Sequence, residues 1–370
     1  MSEPLQLRIG VLPGDGIGPE VVPAAVSVID AAVAAHPEVA LTWQRLPIGH
    51  EAIAAYGEPM PPATLSALDD LDAWILGPHD SASYPQPWCD QLTPGGTIRK
   101  RFDMFANIRP ARALTGTTAV SPTMDLVVVR ENTEGFYADR NMHAGSGEFM
   151  PTPDVAMAVG VVTRRACERI AHEAFRIARS RCGSVTIAHK ANVLSMTTGL
   201  FRDVCLEVAE QYPEVAVDHH HIDALAAHLV RRADSFDVIV AENMFGDILS
   251  DLTGELAGSI GIAPSLNSSE TKAMAQAAHG AAPDIAGLGI ANPIAAILSS
   301  AMLLRWLGIK DDRPVCAKIA STIEDAVENV TAQGTFTADL GGGASTATFV
   351  DAVIATITRS ESRGRSIIDP

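Results

Sequence analysis

The chain has 370 residues, enough for two domains or one large α/β unit, and 47% of them are apolar while 19% are charged. This composition excludes a disordered chain, because disorder goes with low hydrophobicity and high charge. The formal net charge of −17 argues against a nucleic-acid partner, since a phosphate backbone repels an acidic surface.

Short strand-like runs alternate with helical patterns along the chain. LRIGVL (7–12) is followed by a predicted helix from Pro19 to His36 and by LTWQRL (41–46). A predicted helix near TLSALDDLD precedes the strand-like AWILG (73–77). Later strand-like runs are LVVVREN, SVTIAHK, AVDHHHID and DVIVAEN, at 126–132, 184–190, 216–223 and 237–243. The alternation predicts an α/β fold with a largely parallel sheet whose apolar strands are covered on both faces.

Two segments between these elements stand out, and the second bears on whether the protein is located in a membrane. The Pro- and Gly-rich stretch 77–96 predicts a long functional loop. The twenty uncharged residues 285–304 form a candidate membrane span, but Asn292 and Pro293 interrupt them and favour the start of a helix that Gly308 ends. Five scattered cysteines without paired spacing indicate reduced thiols, and no secretion pattern precedes the first strand. We therefore expect a cytoplasmic protein without a membrane partner.

Three arginines stand at predicted strand or loop ends. Arg99 and Arg109 lie ten residues apart in IRKRFDMFANIRP, and Arg130 comes at the end of a strong strand. Guanidinium groups bind carboxylates through paired hydrogen bonds, so these side chains could clamp an acidic substrate. Surface ion pairing is the alternative for each of them.

Asp247 and Asp251 are spaced i and i+4 in MFGDILSDLTGEL, which predicts two carboxylates on one helix face. Like charges at this spacing destabilise a helix unless a positive charge compensates, and paired carboxylates suit Mg²⁺ or Mn²⁺. A solvated acidic face is the alternative. A phosphatase built on this pair is disfavoured, because the chain has no P-loop lysine motif. The histidines 219–221 alternate in direction along a strand, which favours a solvated strand end over a metal site.

Lys190 ends another predicted strand, between His189 and Asn192. A lysine in a partly desolvated cleft can exchange a proton near neutral pH, and Tyr137 could act as an acid beside it. A surface lysine and a core tyrosine are the alternatives.

Two small-residue segments suggest contacts with a nucleotide. HGAAPDIAGLGIANP (279–293) offers backbone N–H groups and one carboxylate, Asp284, that could accept hydrogen bonds from ribose hydroxyls and repel a 2′-phosphate. GDGIGP (14–19) follows a strand, but a Rossmann loop has glycine where Pro19 stands. Glu20, in the first helical turn, would also oppose a pyrophosphate. This second segment is therefore not expected to be a Rossmann fingerprint.

Six motifs in order resemble those of the β-decarboxylating dehydrogenases, which include isopropylmalate, isocitrate, homoisocitrate, tartrate and D-malate dehydrogenases. They are GDGIGPEV, the arginine pair ending in ANIRP, RENTEGFY, HKANVL, FGDILSDL, and HGAAPDIAG followed by IANP. The resemblance implies two α/β domains that share a large mixed sheet and do not form a Rossmann fold. The first domain would comprise 1–104 with 258–370, and the second, 105–257, would carry the metal aspartates and the dimer interface.

The resemblance also implies a role for each candidate residue. Substrate carboxylates would be bound by Arg99, Arg109 and Arg130, with Asn192 near the substrate or the nicotinamide. Mg²⁺ or Mn²⁺ would be held by Asp247 and Asp251, together with Asp223 of the partner subunit. Tyr137 and Lys190, the lysine also from the partner, would form the acid/base pair of a homodimer with shared active sites. NAD, indicated by the acidic Asp284, would be bound by Ile17, His279, Gly280, Ala282, Pro283, Asp284, Ile285 and Asn292.

The implied activity is oxidative decarboxylation of a malate-type 2-hydroxy acid. Lys190 would accept the hydroxyl proton as hydride leaves C2, the metal ion would act as a Lewis acid, and Tyr137 would protonate the enolate after CO₂ departs. Residues 92–96 read LTPGG and match neither the apolar leucine-pathway pattern nor the Ser-x-Asn of isocitrate enzymes. We expect 3-isopropylmalate or a related 3-alkylmalate, with isocitrate, homoisocitrate, tartrate and D-malate as alternatives. A catalytically silent binding protein on the same fold is the alternative from another class.

Overall fold

One ten-stranded mixed sheet organises the fold, and a separate two-stranded hairpin stands apart from it. The computed structural model of the chain describes residues 4–137 and 147–366. The strands of this part are β1 Leu5–Leu12, β2 Val39–Arg45, β3 Ala73–Leu76, β4 Ala106–Arg112, β5 Asp125–Glu131, β6 Glu148–Thr152, β7 Val155–Ala158, β8 Ser184–His189, β9 Ala216–His221, β10 Val238–Ala241, β11 Leu266–Ser268 and β12 Ala273–Ala275. The helices are α1 Gly18–Val33, α2 Gly49–Tyr56, α3 Pro62–Asp69, α4 Pro94–Arg101, α5 Arg164–Arg179, α6 Thr197–Ala209, α7 Ile222–Arg232, α8 Asn243–Ala257, α9 Ile294–Lys310, α10 Pro314–Ala332 and α11 Thr346–Ser366.

The strand order of the large sheet is β2-β1-β3-β12-β11-β4-β5-β10-β8-β9. Six of its nine pairings are parallel, and the three antiparallel ones join β12 to β11, β11 to β4, and β4 to β5 at the centre. The predicted α/β class with a largely parallel, mixed sheet is therefore confirmed.

The two halves of the sheet come from different parts of the chain. β2, β1, β3, β12 and β11 belong to the ranges expected for the first domain, and β4, β5, β10, β8 and β9 lie between residues 106 and 241. The first half is discontinuous in sequence, because β11 and β12 join it only after the second half is complete. The domain limits themselves remain a prediction.

Successive residues of the central strands face different apolar clusters. Val128 and Ile239 belong to the largest cluster, which also contains the buried faces of α1, α9 and α10. Val127, Val129 and Val238 belong to a second cluster with α5 and α6. Burial on both faces explains why these strands are apolar along almost their whole length.

Two arginines lie elsewhere than at the strand or loop ends that the sequence indicated. Arg99 lies on α4, which begins at Pro94 inside the expected loop, and Thr93 caps this helix by accepting a hydrogen bond from Gly96 N at 3.1 Å. Arg109 lies in the middle of β4. The first correction arises because a single cap residue is enough to start a helix within a Pro- and Gly-rich segment. The second arises because β4 continues past Arg109 to Arg112 and stays paired with β5 over that length.

The helix after Asn292 begins as predicted but ends later. Asn292 Oδ1 accepts a hydrogen bond from Ile294 N at 3.0 Å, and α9 then continues past Gly308 to Lys310. A β-carbon at Gly308 would lie 3.0 Å from Arg313 O, so this glycine permits a close approach of the following turn rather than ending the helix. Within the described residues, no helix is long and apolar enough to cross a membrane.

Candidate active site

Two arginines, two aspartates and a tyrosine meet between β4, β5 and α8, and we call them the arginine–aspartate cluster. Asp247 Oδ1 accepts hydrogen bonds from Arg130 Nη1 and, at 3.4 Å, from Arg109 Nη1. Asp251 Oδ1 also lies 3.4 Å from Arg109 Nη1. Tyr137 OH donates to Asp247 Oδ2 at 3.3 Å. The structure thus brings five of the predicted site residues together, and the guanidinium groups compensate the paired carboxylates.

Burial and charge act in opposite directions in this cluster. Arg109 and Arg130 are 8% and 3% exposed. Burial lowers the pKa of Arg109, and the neighbouring carboxylates of Asp247 and Asp251 work against that shift. Burial also raises the pKa of Asp251, with the charge of Asp247 adding to the effect. Positive charge brought near Asp251 would favour its ionised form.

Three uncharged residues hold the arginines in place, and sequence reasoning missed them. Asn243 Oδ1 accepts hydrogen bonds from Arg130 Nε and Nη2, at 3.0 and 2.8 Å. Ser250 Oγ accepts one from Arg109 Nη1 at 2.7 Å. Gly246 allows α8 to approach β5, because a β-carbon there would lie 2.7 Å from the side chain of Arg130. Asn243 and Ser250 lie four residues before and three after Asp247, so the helical period was the available signal.

Arg99 donates hydrogen bonds to two side-chain amide groups. Its Nε donates to Asn267 Oδ1 at 3.2 Å, and its Nη2 donates to Gln276 Oε1 at 2.8 Å. These two residues belong to β11 and the turn after β12, so Arg99 crosses from α4 to the centre of the sheet.

The two glycines before Arg99 make room for neighbouring side chains. A β-carbon at Gly95 would lie 3.0 Å from His79 Nε2, and one at Gly96 would lie 2.6 Å from Leu92 Cδ1. Burial lowers the pKa of His79 to about 4, and the positive charge of Arg99 contributes. A neutral imidazole and an apolar side chain therefore lie beside the glycines of α4.

Two buried glutamates lie behind the arginine–aspartate cluster. Burial raises the pKa of Glu134 and that of Glu242 to about 7, and each is also repelled by Glu131. Glu134 accepts hydrogen bonds from Thr163 N and Oγ1, whereas Glu242 Oε1 has no hydrogen-bond partner among the described residues. Asn243 Nδ2 donates to Glu134 O at 2.9 Å, which links this pair to the residue that holds Arg130.

Lys190 and Asp223 form a second group of predicted site residues. They follow the carboxyl ends of the adjacent strands β8 and β9, and Lys190 Nζ donates to Asp223 Oδ1 at 2.5 Å. This hydrogen bond lowers the pKa of Asp223. Thr198 Oγ1 accepts a hydrogen bond from Lys190 N at 3.1 Å, and Asn192 is exposed.

The neighbouring histidines are exposed, as expected for a solvated strand end. His219 and His221 lie at the surface, and His219 Nδ1 is 3.0 Å from Nε2 of the buried His189. Within 4–137 and 147–366, no group of three or more His, Cys, Asp or Glu side chains is arranged to hold a metal ion. Asp247 and Asp251 thus stand as a pair within one chain.

The predicted nucleotide-binding segment, residues 279–292, forms a surface loop against the GDGIGP segment. Ile17 N donates to Ala281 O at 2.9 Å, and a β-carbon at Gly16 would lie 1.9 Å from that oxygen. Gly16 also has φ +57, which favours glycine. GDGIGP therefore supports the loop through its backbone, in agreement with its departure from a Rossmann fingerprint.

Several groups of the loop have unused hydrogen-bonding capacity. His279 Nδ1 lies 3.0 Å from Gly280 O and must donate to it, which leaves Nε2 as an acceptor. That nitrogen is buried and has no hydrogen-bond partner among the described residues. Burial lowers the pKa of His279, which favours the neutral ring. Asp284 and Pro283 are exposed, and a β-carbon at Gly280 would meet open space.

The remaining predicted cofactor residues are fixed by the protein itself. Asn292 Nδ2 donates to Asp339 Oδ2 at 2.9 Å, so the side chain of Asn292 already binds two protein groups. Ala282, with φ +40, and Ile285 pack against the edge of the main apolar cluster.

Comparisons with known proteins agree with this architecture. The family model described as isocitrate/isopropylmalate dehydrogenase matches residues 8–353. A 3-isopropylmalate dehydrogenase of Archaeoglobus fulgidus is 42% identical over 347 residues, covering 94% of this chain and 98% of that protein. An isocitrate/homoisocitrate dehydrogenase of Thermus thermophilus is 42% identical over 353 residues, covering 94% and 97%. The crystal structure of isocitrate dehydrogenase from Methylococcus capsulatus superposes with a TM-score of 0.84 at 37% identity, covering 95% and 99% of the two chains.

Proposed function

The chain belongs to the isocitrate/isopropylmalate dehydrogenase family, and we propose that it catalyses the NAD-dependent, Mg²⁺- or Mn²⁺-dependent oxidative decarboxylation of a malate-type 2-hydroxy acid. The observation that carries the proposal is the arginine–aspartate cluster. Two buried guanidinium groups and two aspartates on one helix face form a site that can bind both an organic acid and a hard cation.

The donor groups fit both cofactors. The carboxylates of Asp247 and Asp251 are the oxygen ligands that Mg²⁺ and Mn²⁺ prefer, and we propose that Asp223 of the partner subunit completes the set. In the 279–292 loop, His279 Nε2 has no hydrogen-bond partner within 4–137 and 147–366, and it can accept a hydrogen bond from an amino or hydroxyl group of the adenosine. The exposed carboxylate of Asp284 can accept hydrogen bonds from ribose hydroxyls and would repel a 2′-phosphate, which favours NAD over NADP.

Different residues of the chain would carry out different steps of the reaction. Arg99, Arg109 and Arg130 hold the substrate carboxylates, which orients the C2 hydrogen and the carboxylate that leaves. When bound by the 279–292 loop, NAD would supply the hydride acceptor for C2, and a divalent ion held by Asp247 and Asp251 would supply a Lewis acid for the 2-oxo group. Lys190, in its neutral form, accepts the proton of the 2-hydroxyl group through a water molecule or through Asp223, to which it is hydrogen-bonded. After the bond from C3 to the departing carboxylate breaks and CO₂ leaves, the Tyr137 hydroxyl donates a proton to C3.

A homodimer with shared active sites is part of the proposal. Several large apolar side chains are exposed: Met150 is 63% exposed on β6, Met157 50% on β7, Met196 87% in the segment after β8, and Ile248 56% on α8, next to Asp247 in sequence. Exposed large apolar side chains are typical of surfaces that another protein chain covers. A second copy of the chain would cover these side chains and bring one subunit's lysine to the other's aspartates.

The substrate we propose first is 3-isopropylmalate or a related 3-alkylmalate. The Archaeoglobus fulgidus relative is named for 3-isopropylmalate, and Leu92 presents an apolar side chain at Gly96, close to Arg99 in sequence. One observation favours the second candidate group: isocitrate, homoisocitrate, tartrate or D-malate. The neutral imidazole of His79 at Gly95 can hydrogen-bond a polar group on C3.

We also propose a cytoplasmic location. All five cysteines are free thiols, three of them buried, which is usual in a reducing compartment.

A substrate panel tests the proposed activity. The protein is assayed with Mn²⁺ and either NAD or NADP on 3-isopropylmalate, isocitrate, homoisocitrate, D-malate and tartrate, and reduced cofactor and CO₂ are measured. NADH formed with one equivalent of CO₂, and lost in Lys190→Ala, is the expected result. Binding of acid and cofactor in calorimetry without turnover would support a silent binding protein instead.

Mixing two inactive variants tests the shared site. Lys190→Ala and Asp247→Asn chains are unfolded together and refolded, so that half of the dimers contain one chain of each kind. If each site uses the lysine of one subunit and the aspartates of the other, every hybrid dimer has one intact site, and about a quarter of the wild-type activity returns. No recovery would mean that both residues act within the same chain.

A further inference from the structure

The carboxylate of Glu20 binds the 279–292 loop from behind, and we propose that Glu20 is a positioning residue that holds this loop in its dinucleotide-binding conformation. This inference rests on the proposed function, in which the loop binds NAD. Glu20 lies in the first turn of α1, outside the residues expected to touch the cofactor.

The two oxygens of Glu20 bind two separate points of the loop. Oε1 accepts a hydrogen bond from Gly287 N at 2.5 Å, and Oε2 accepts one from Gly289 N at 3.0 Å. Both glycines have left-handed backbone angles, with φ +78 and +67. Hydrogen bonds to a charged acceptor are about twice as strong as neutral ones. Glu20 therefore fixes a bend whose backbone angles at Gly287 and Gly289 few residue types other than glycine adopt.

Other anchors hold the two ends of the loop. Ile17 N binds Ala281 O at its start, and Thr346 N and Oγ1 donate to Gly289 O and Ala291 O near its end, at 2.9 and 2.6 Å. Among these contacts, Glu20 supplies the one that reaches Gly287, in the middle of the loop. Ile17 and Glu20 belong to the same GDGIGPE segment, so a single turn of chain sets two points of the loop.

Side-chain packing contributes little to the conformation of this part of the loop. Leu288 is 62% exposed and Ile290 42% exposed, and a β-carbon at Gly287 would meet open space. A loop without packed side chains is ordered by its backbone hydrogen bonds. Without these bonds, ordering the loop would weaken the free energy of ligand binding. The acidic side chain that would oppose a pyrophosphate at the helix start is instead directed at the amides of the loop.

The test compares Glu20→Gln and Glu20→Ala with Glu210→Gln, a control at an exposed glutamate at the end of α6. Hydrogen exchange of the 279–292 peptides is measured without ligand, and NAD affinity is measured by titration. We expect faster exchange in the loop and about tenfold weaker NAD binding in Glu20→Ala. Glu20→Gln, which keeps one acceptor oxygen, gives a smaller change in both. The KM for the acid and kcat at saturating NAD stay within twofold of wild type, which separates positioning from general damage.

The outcomes distinguish the two proposals. Unchanged exchange, or faster exchange with unchanged NAD affinity, overturns the positioning role while the proposed function stands. A wild-type protein that binds neither NAD nor NADP overturns the proposed function, and the positioning role falls with it. If Glu20→Ala does not fold, Glu20→Gln decides between the outcomes.

Discussion

The arginine–aspartate cluster and the 279–292 loop hold their candidate binding groups in different ways. In the cluster, the site residues bind one another: Arg130 and Arg109 donate to Asp247. In the loop, the hydrogen bonds come from residues behind the site, such as Glu20 and Asp339, while Asp284 remains exposed. A ligand that enters the cluster would therefore have to replace arginine–aspartate hydrogen bonds, whereas a ligand that binds the loop would require little rearrangement of it.

The largest expected effect comes from Asp247→Asn, which acts on the cluster alone. The variant loses a cation ligand and the charge that compensates Arg130, so kcat/KM for the acid should fall by about a thousandfold. NAD affinity should change less than threefold, because the loop is held independently. Steady-state kinetics with varied Mn²⁺, and calorimetry with NAD, measure the two effects. Asp70→Asn, at an exposed aspartate, is the control.

Gly16→Ala should damage the loop rather than the cluster. A β-carbon at this position would lie 1.9 Å from Ala281 O, and φ is +57. We expect the free energy of unfolding to fall by about 3 kcal/mol in urea titrations. Gly280→Ala, where a β-carbon meets open space, is the matched control and should stay within about 0.5 kcal/mol of wild type. Equal losses in both variants would contradict the close approach described above.

Asp284→Lys should alter the function of the loop without altering its structure. Asp284 is exposed, so unfolding should be unaffected, while the preference for NAD over NADP should fall by about 10- to 100-fold. The ratio of kcat/KM for the two dinucleotides measures this preference. An unchanged ratio would remove Asp284 from the cofactor site.

The smallest expected effect concerns the glutamates behind the cluster. Because burial raises the pKa of Glu242 from 4.5 to about 7, the folded protein keeps a proton that the unfolded chain releases in this range. Stability should therefore decrease as pH rises from about 4.5 to 7 and level off above. Glu242→Gln should be more stable than wild type at pH 8, by on the order of 1–2 kcal/mol, and nearly equal at pH 5. Parallel pH profiles of the two proteins would contradict this account.

Local periodicity made most of the sheet predictable. The runs at 7–12, 126–132 and 237–243 contain β1, β5 and β10, although β10 is shorter than its run and α8 begins at Asn243. Burial on both faces of the sheet explains their apolar signal. β11 and β12, with three residues each, are too short to give such a signal. The hairpin of β6 and β7 gives no apolar signal for a different reason, because every residue of its two strands is exposed.

The candidate site was predictable only where its residues lie close in sequence. The spacing of Asp247 and Asp251 indicated a shared helix face, and the structure has both on α8. The partners of Glu20, Gly287 and Gly289, lie more than 260 residues away, so only the folded chain reveals that contact. The roles implied by the resemblance for Lys190 and Tyr137 remain predictions.

The position of β12 also affects how the protein is made. β3 ends at Leu76, whereas β12, its partner, begins at Ala273. At about 5–20 residues per second, a ribosome needs roughly 10–40 s to add the intervening segment. During that interval the strands between residues 106 and 241 can already pair among themselves, while the apolar edge of β3 waits unpaired. We therefore expect the nascent N-terminal strands to carry an exposed edge that is prone to wrong pairing until β12 has been made.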